Sequence, residues 1–150
     1  MKKIFAMMGI CILFLSATIA YSANIQGSVK SGVLMIIVDG FKNDKGFAKI
    51  ALSNSSESYK NDAKAFMSKK VQIINSKAMV SLKDVPFGEY AIKVYHDENG
   101  NGQLDKSIFG KPIEAYGFSN NATAMFGRPD FKKAAFILDK AEMTITIHVE

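Results

Sequence analysis

Short runs of apolar and β-branched residues, broken by turn-forming residues, recur about every ten positions along this chain. Several of them alternate in polarity, as strands buried on one face do. In the last run, Met143, Ile145, Ile147 and Val149 point one way. The runs are VLMIIVDGF (33–41), FAKIALSN (47–54), VQIIN (71–75), AMVSLKDV (78–85), EYAIKVYHD (89–97) and MTITIHVE (143–150). This spacing predicts an all-β fold, an antiparallel β-sandwich.

Turn signals indicate how the runs connect. The sequence NDKG lies between the first two runs, and Ser76-Lys77 lies between the third and fourth, so each pair is expected to form a hairpin. Residues 55–70 lack β-branched side chains and place aromatic and apolar residues at roughly helical spacing. They predict one short helical segment or an ordered loop. Tyr90, Ile92, Val94, Ile145 and Ile147 are expected to share the core.

A long segment from Asp97 to Lys133 carries little regular pattern, which is unusual in a compact domain unless the segment is functional or anchored. Residues 109–131 alternate glycines with aromatic residues. One interpretation is a long ordered loop pinned to the sandwich by its aromatic rings. The other is a binding surface on a rigid scaffold. The need for anchors favours the first.

The N-terminus has the three-part layout of a secretory signal peptide: a basic start, an apolar stretch, and small residues up to Ser22. The apolar stretch is shorter than the roughly 20 residues of a spanning helix. We therefore expect a signal peptide over 1–22, a flexible lead-in over 23–32 and a single β-sandwich domain over 33–150. The protein would be periplasmic or secreted, with no membrane span after cleavage.

Charge and cysteine content exclude several classes of function. Cys11, the only cysteine, lies in the apolar stretch rather than at the cleavage site, which disfavours a lipoprotein. Its removal would exclude disulfides, a cysteine nucleophile and thiolate–zinc sites. The formal charge of +5 includes Lys2 and Lys3, so +3 would remain after cleavage. Basic residues are dispersed and only one arginine is present, which argues against nucleic-acid binding.

The stretch DENGNGQLD (97–105) has the residue types and spacing of a calcium loop. A hard cation prefers six to eight oxygen ligands, and alternate residues of a tight loop turn inward together. Gly102 permits the sharp turn. The candidate metal ligands are the side chains of Asp97, Asn99, Asn101 and Asp105, the carbonyl of Gln103, and Glu114 folding back.

The calcium interpretation has a competitor. Ile108 stands where an EF-hand has its bidentate glutamate, and no helix precedes the loop. Lys106 and Lys111 lie nearby, so a Ca²⁺ affinity in the weak ~10⁻⁴–10⁻³ M range of extracellular modules is expected. Asp, Asn and Gly are also plain turn formers. A polar turn without a cation therefore stays open.

Four stretches in the second half together resemble one family of secreted bacterial proteins. They are PFGEYA, HDENGNGQLD, GKPIEAYGFSNN and FGRPDFKKAAF. The chain is similar here to the DUF2141 family, and the similarity runs from about Leu34 to the C-terminus. The resemblance implies a secreted sandwich of transthyretin-like or immunoglobulin-like character. It implies no reaction.

Two classes of function follow from these patterns. The first is an exported, non-enzymatic binding or structural domain that takes an extracytoplasmic ligand or an envelope protein, with a weakly calcium-stabilised loop. The alternative is a periplasmic hydrolase that uses His96 and nearby carboxylates. The pattern of His96 matches that of Ile92 and Val94, which favours a structural histidine at the core end of its strand. No nucleophile–base pair is evident, so the enzyme ranks second.

Overall fold

The computed structural model describes residues 30–150, so the expected signal peptide and most of the lead-in lie outside the described residues. Strands dominate this part of the chain. They are β1 (Ser31–Asp39), β2 (Phe47–Ser53), β3 (Met67–Gln72), β4 (Ala78–Pro86), β5 (Gly88–Asp97), β6 (Tyr116–Phe118), β7 (Phe136–Leu138) and β8 (Glu142–His148). The helices are short: α1 (Ser56–Lys60), α2 (Phe131–Ala134) and the 3₁₀ turns Asp62–Lys64 and Ser119–Asn121.

The strands form two sheets, which confirms the all-β sandwich. One sheet has three strands in the order β4-β1-β8. The other has five: β3-β2-β5-β6 in order, with β7 also pairing β5. All pairs are antiparallel except β1 with β8, which run parallel. The first and last strands of the described domain therefore lie side by side.

Both expected hairpins are wrong. β1 pairs with β4 and β2 with β5, so the NDKG turn carries the chain from one sheet to the other. β3 pairs with β2, and the turn between β3 and β4 holds only the isolated bridge Ile74–Lys77. A short turn between two strands can close a hairpin or cross between layers of a sandwich, and residue alternation is the same in both cases. Local pattern therefore could not decide the pairing.

The core lies between the sheets and contains the expected residues. Tyr90, Ile92, Val94 and Ile147 are buried in one apolar cluster, and Ile145 packs against it partly buried. β1 contributes Leu34, Ile36 and Val38 from its alternating inward face. β1 already begins at Ser31, so the end of the expected lead-in is part of the sheet.

The outer face of β5 is covered as well. A second cluster, formed by Tyr59, Ala91, Phe118, Phe131 and Ala134, packs there beneath α1 and α2. The expected helical segment is thus a five-residue helix whose Tyr59 anchors it, while β3 takes the end of that stretch. Within residues 30–150, no helix has the length and apolarity needed to cross a membrane.

Some aromatic residues of the long segment anchor it to the sandwich, and others do not. Phe118 and Phe131 are buried in the second cluster, as the anchored-loop interpretation requires. Phe109 and Phe126 are 90% and 87% exposed, so these rings anchor nothing in the domain.

Candidate functional site

Successive side chains of β5 point to opposite faces of its sheet, and this alternation places the residues of the site. Ile92, Val94 and His96 face the core between the sheets, whereas Lys93, Tyr95 and Asp97 face the outer side of the five-stranded sheet. Asp97 is the last residue of the strand. The polar loop that follows therefore starts on the outer face.

Asp97 is fully buried and is turned into its own loop. Both carboxylate oxygens accept a hydrogen bond from the N–H of Gly102, at 3.2 and 3.1 Å. Gly102 has φ +81°, a conformation that other residues rarely adopt, and this brings its N–H inward. No basic group within residues 30–150 forms an ion pair with Asp97.

Asp105 accepts hydrogen bonds from the side chains of two asparagines. The Nδ2 of Asn99 donates to one carboxylate oxygen at 2.6 Å, and the Nδ2 of Asn101 donates to the other at 2.9 Å. The Oδ1 of Asn99 accepts from the N–H of Asn101, and the Oδ1 of Asn101 accepts from the N–H of Gln103. Four of the expected side-chain ligands thus lie in one hydrogen-bonded loop: Asp97, Asn99, Asn101 and Asp105.

Glu114 folds back onto the loop, as the sequence predicts. Its Oε1 accepts from the N–H of Glu98 at 2.9 Å and its Oε2 from the N–H of Asp105 at 2.9 Å. One carboxylate therefore binds both ends of the loop. The N–H of Ile113 donates to the carbonyl of Asp105, and a bridge between Lys106 and Pro112 extends this ladder.

The side chains outside the predicted ligand set point elsewhere. Glu98 is exposed and reaches Asn43 and Lys45, away from the loop interior. Ile108, at the position of the missing EF-hand glutamate, is exposed to solvent. Leu104, the one apolar side chain of the loop, is partly buried.

The loop as described gathers three carboxylates and two amides without bringing all their oxygens to one point. Asn99 and Asn101 present nitrogen, not oxygen, to Asp105. Within residues 30–150, no three His, Cys, Asp or Glu side chains are arranged to hold a metal ion. Calcium loops draw much of their coordination from amide and backbone oxygens. Binding of one cation by these side chains therefore stays a prediction.

Tyr95 connects the loop to the sheet. Its hydroxyl donates to the carbonyl of Gly102 at 2.7 Å. Burial, together with the smaller effect of the negative charges of Asp97, Asp62 and Glu114, raises the pKa of Tyr95 to about 12. The hydroxyl therefore stays a donor at neutral pH.

His96 lies where its position in the strand predicts. It is 2% exposed, its Nε2 is 2.7 Å from the carbonyl oxygen of Lys45, and its ring meets Phe41 edge-on. Since a carbonyl oxygen only accepts, Nε2 must carry the proton and cannot act as a base there. His148 faces outward on β8, with Nδ1 2.7 Å from Asp39.

The stretch GFSNN has a structural explanation that the sequence did not supply. The Ser119 hydroxyl accepts from the N–H of Ile92 at 2.9 Å and donates to the carbonyl of Ala134. Asn120 donates to the carbonyls of Lys133 and Ala135, and Asn121 accepts from the N–H of His148. A Cβ on Gly117 would overlap the carbonyl of His148. The stretch therefore joins both sheets and α2.

One bacterial protein family matches most of the chain. Residues 36–146 match the family described as "Uncharacterized protein conserved in bacteria (DUF2141)". The chain belongs to this family. The DUF2141 match covers both sheets, the polar loop and the GFSNN stretch. No curated protein and no solved structure matches the chain.

Proposed function

We propose that this DUF2141 protein is an exported, non-enzymatic binding domain whose loop 97–105 is stabilised by Ca²⁺. One observation carries the cation: Asp97 holds a fully buried carboxylate with no basic partner in the described chain. Burying a charge is costly unless it is paired, hydrogen-bonded or bound to a metal. Two bonds from a single N–H offset only part of that cost.

The neighbours of Asp97 support the same conclusion. Asp105 and Glu114 bring two more carboxylates to the loop, and neither forms an ion pair within residues 30–150. Within the described part of the chain, the Asp105 carboxylate accepts side-chain hydrogen bonds from the amide N–H groups of Asn99 and Asn101 alone. A half-turn of each amide would replace nitrogen by oxygen. Ca²⁺ would then lie between these amide oxygens and the Asp105 carboxylate.

Export is supported by the N-terminal sequence. A basic start, an apolar stretch and small residues precede Ala23, and the remaining chain contains no cysteine. Extracellular and periplasmic calcium is compatible with the weak ~10⁻⁴–10⁻³ M affinity expected of this loop. The partner is then an extracytoplasmic ligand or an envelope protein. Mass spectrometry of the exported protein should find Ala23 at its N-terminus, and retention of residues 1–22 would contradict export by cleavage.

Amide NMR during a calcium titration tests the cation. We expect saturable shifts at the Gly100 and Gly102 N–H groups, with a midpoint between about 0.1 and 1 mM. Asp97→Asn keeps the shape of the side chain but removes its charge, and it should weaken binding about tenfold or more.

Glu98→Gln is the matched control. It removes one charge from the adjacent residue, whose side chain reaches Asn43 and Lys45 instead of the loop interior. Its calcium midpoint should stay within about twofold of the unsubstituted protein. The absence of saturable shifts up to about 10 mM calcium would contradict the proposal.

A further inference from the structure

A wide groove lies on the outer face of the five-stranded sheet. Its volume is about 1110 Å³. Ala51, Lys93 and Tyr95 of the central strands form the floor, and parts of the segments 102–112 and 124–128 form the walls. This volume is slightly above the roughly 300–1,000 Å³ that is usual for small-molecule sites.

The groove is strongly basic. Lys49, Lys93, Lys106, Lys111 and Arg128 line it, whereas Asp62 is the only acidic lining residue among residues 30–150. Asp62 is bound to Lys93, whose ammonium also donates to the carbonyl of Tyr59. The other four cations form no ion pair within residues 30–150. Four like charges around one concave surface repel each other and attract an anion.

The same groove carries exposed apolar side chains. Phe109, Met125 and Phe126 line it and are 90%, 90% and 87% exposed. Pro112 and Tyr116 add further apolar surface beside them. Large apolar side chains gathered in solvent mark binding sites rather than ordinary protein surface. A ligand that covered them would add apolar burial to the attraction of charge.

We propose that this groove binds a small amphipathic anion, a molecule with one anionic headgroup and an apolar body. The four unpaired cations would hold the headgroup, and Phe109, Met125 and Phe126 would close over the body. The inference deepens the proposed function, because it names the ligand class of the binding domain. It does not require the cation, since β2 and β5 build the floor and the hydrogen bonds of Asp97 and Glu114 hold the loop beside it.

Laurate is a suitable probe, titrated by calorimetry below its critical micelle concentration in the presence of EDTA. We expect saturable one-to-one binding that weakens with added salt. Lauryltrimethylammonium has the same chain with the opposite charge and should not bind. Inorganic phosphate, a headgroup without a body, should bind at least about tenfold more weakly than laurate.

Two sets of substitutions locate the site. Lys106→Glu with Lys111→Glu reverses two groove charges and should weaken laurate binding about tenfold or more. Lys77→Glu with Lys83→Glu makes the same charge change at exposed positions outside the groove and should alter binding less than about twofold. Phe109→Ser with Phe126→Ser exposes no core surface and should weaken laurate binding with folding unchanged.

Several outcomes would overturn the inference. They are equal binding of laurate and lauryltrimethylammonium, equal effects of the groove and control lysine substitutions, or no saturable laurate binding. Binding to phosphatidylglycerol vesicles without binding of free laurate would replace the small ligand by a membrane surface. Because EDTA is present throughout, failure of the calcium proposal leaves this result readable. Failure with laurate likewise leaves the calcium titration intact.

Discussion

At the scale of single residues, Asp105 shows how hydrogen bonds hold the loop. Its two carboxylate oxygens accept from two different asparagine amides, so each oxygen faces the positive end of a dipole. An aspartate at either asparagine position would remove that donor and place two negative charges together. The same change would give a cation one more charged ligand. A calcium loop and a plain polar turn therefore respond differently to it.

Asn101→Asp exploits this difference. In EDTA we expect the free energy of unfolding to fall by about 1–2 kcal/mol, since a hydrogen bond is lost and two carboxylates repel. In saturating calcium we expect the variant to gain more stability than the unsubstituted protein gains. Denaturant unfolding in both conditions measures the two effects.

Asn43→Asp is the matched control for this change. Asn43 also donates from Nδ2 to a carboxylate, that of Glu98, but outside the loop interior. It should lose stability in EDTA without recovering it in calcium. If Asn101→Asp behaves like Asn43→Asp, the loop is a polar turn.

The sequence predicted the members of this loop but not their detailed arrangement. Alternation around Gly102 was enough to name Asp97, Asn99, Asn101 and Asp105, because side chains at that spacing turn inward together. The direction of each amide depends on which backbone N–H its oxygen accepts, which only the folded loop defines. Likewise, Glu114 was expected at the ion, whereas its oxygens bind the N–H groups of Glu98 and Asp105.

At the scale of elements, Ser119 connects its own 3₁₀ turn to β5 and to α2. Its buried hydroxyl binds β5 through the N–H of Ile92 and binds the end of α2 through the carbonyl of Ala134. Both partners are backbone groups, and loss of the Ser119 hydroxyl would leave them without this hydrogen bond. A buried donor or acceptor left without a partner costs about 1–3 kcal/mol.

Ser119→Ala should therefore lower the free energy of unfolding by about 1–3 kcal/mol, measured in urea. Ser81→Ala is the control, because Ser81 is exposed on β4 and makes the same atomic change. It should change stability by less than about 0.5 kcal/mol. Equal effects of the two substitutions would contradict the bridging role of Ser119.

The elements themselves were largely predictable, and their connections were not. The alternation of Ala48, Ile50 and Leu52 is a local property, and these residues are buried as the pattern requires. Whether β2 returns beside β1 or crosses to the other sheet depends on contacts far along the chain. The basic groove depends on the same contacts, because it combines strand residues with the distant Phe126 and Arg128. No short stretch of the sequence contains all the residues that line the groove.

At the scale of the whole molecule, the tyrosines make stability sensitive to alkaline pH. Burial raises the pKa of Tyr59, Tyr90 and Tyr95 above the ordinary value of 10.0, in the case of Tyr95 to about 12. A raised folded pKa gives stability that is fully present below pH 10 and is lost as pH rises through the folded value. Burial lowers the pKa of Lys93 from 10.5. Its deprotonation therefore raises the free energy of unfolding as pH rises, and this gain is complete by about pH 10.5.

The free energy of unfolding should therefore fall between pH 10.5 and about 12, where only the tyrosine effect remains. Denaturant unfolding at pH 9 and near the upper end of that window measures the loss. Tyr95→Phe should show a smaller loss, because one raised pKa is removed. An equal or larger loss in that variant would contradict this assignment for Tyr95.

The central claim, that a cation completes the loop on this sandwich, is tested most directly by thermal unfolding in EDTA and in calcium at matched ionic strength. A ligand that binds only the folded state at one hundred times its Kd adds about 2.7 kcal/mol of stability. We predict that calcium raises the Tm of the unsubstituted protein and of Glu98→Gln by several degrees, and raises that of Asp97→Asn by about half as much or less. An unchanged Tm of the unsubstituted protein in saturating calcium, or an equal rise in Asp97→Asn, would contradict the claim.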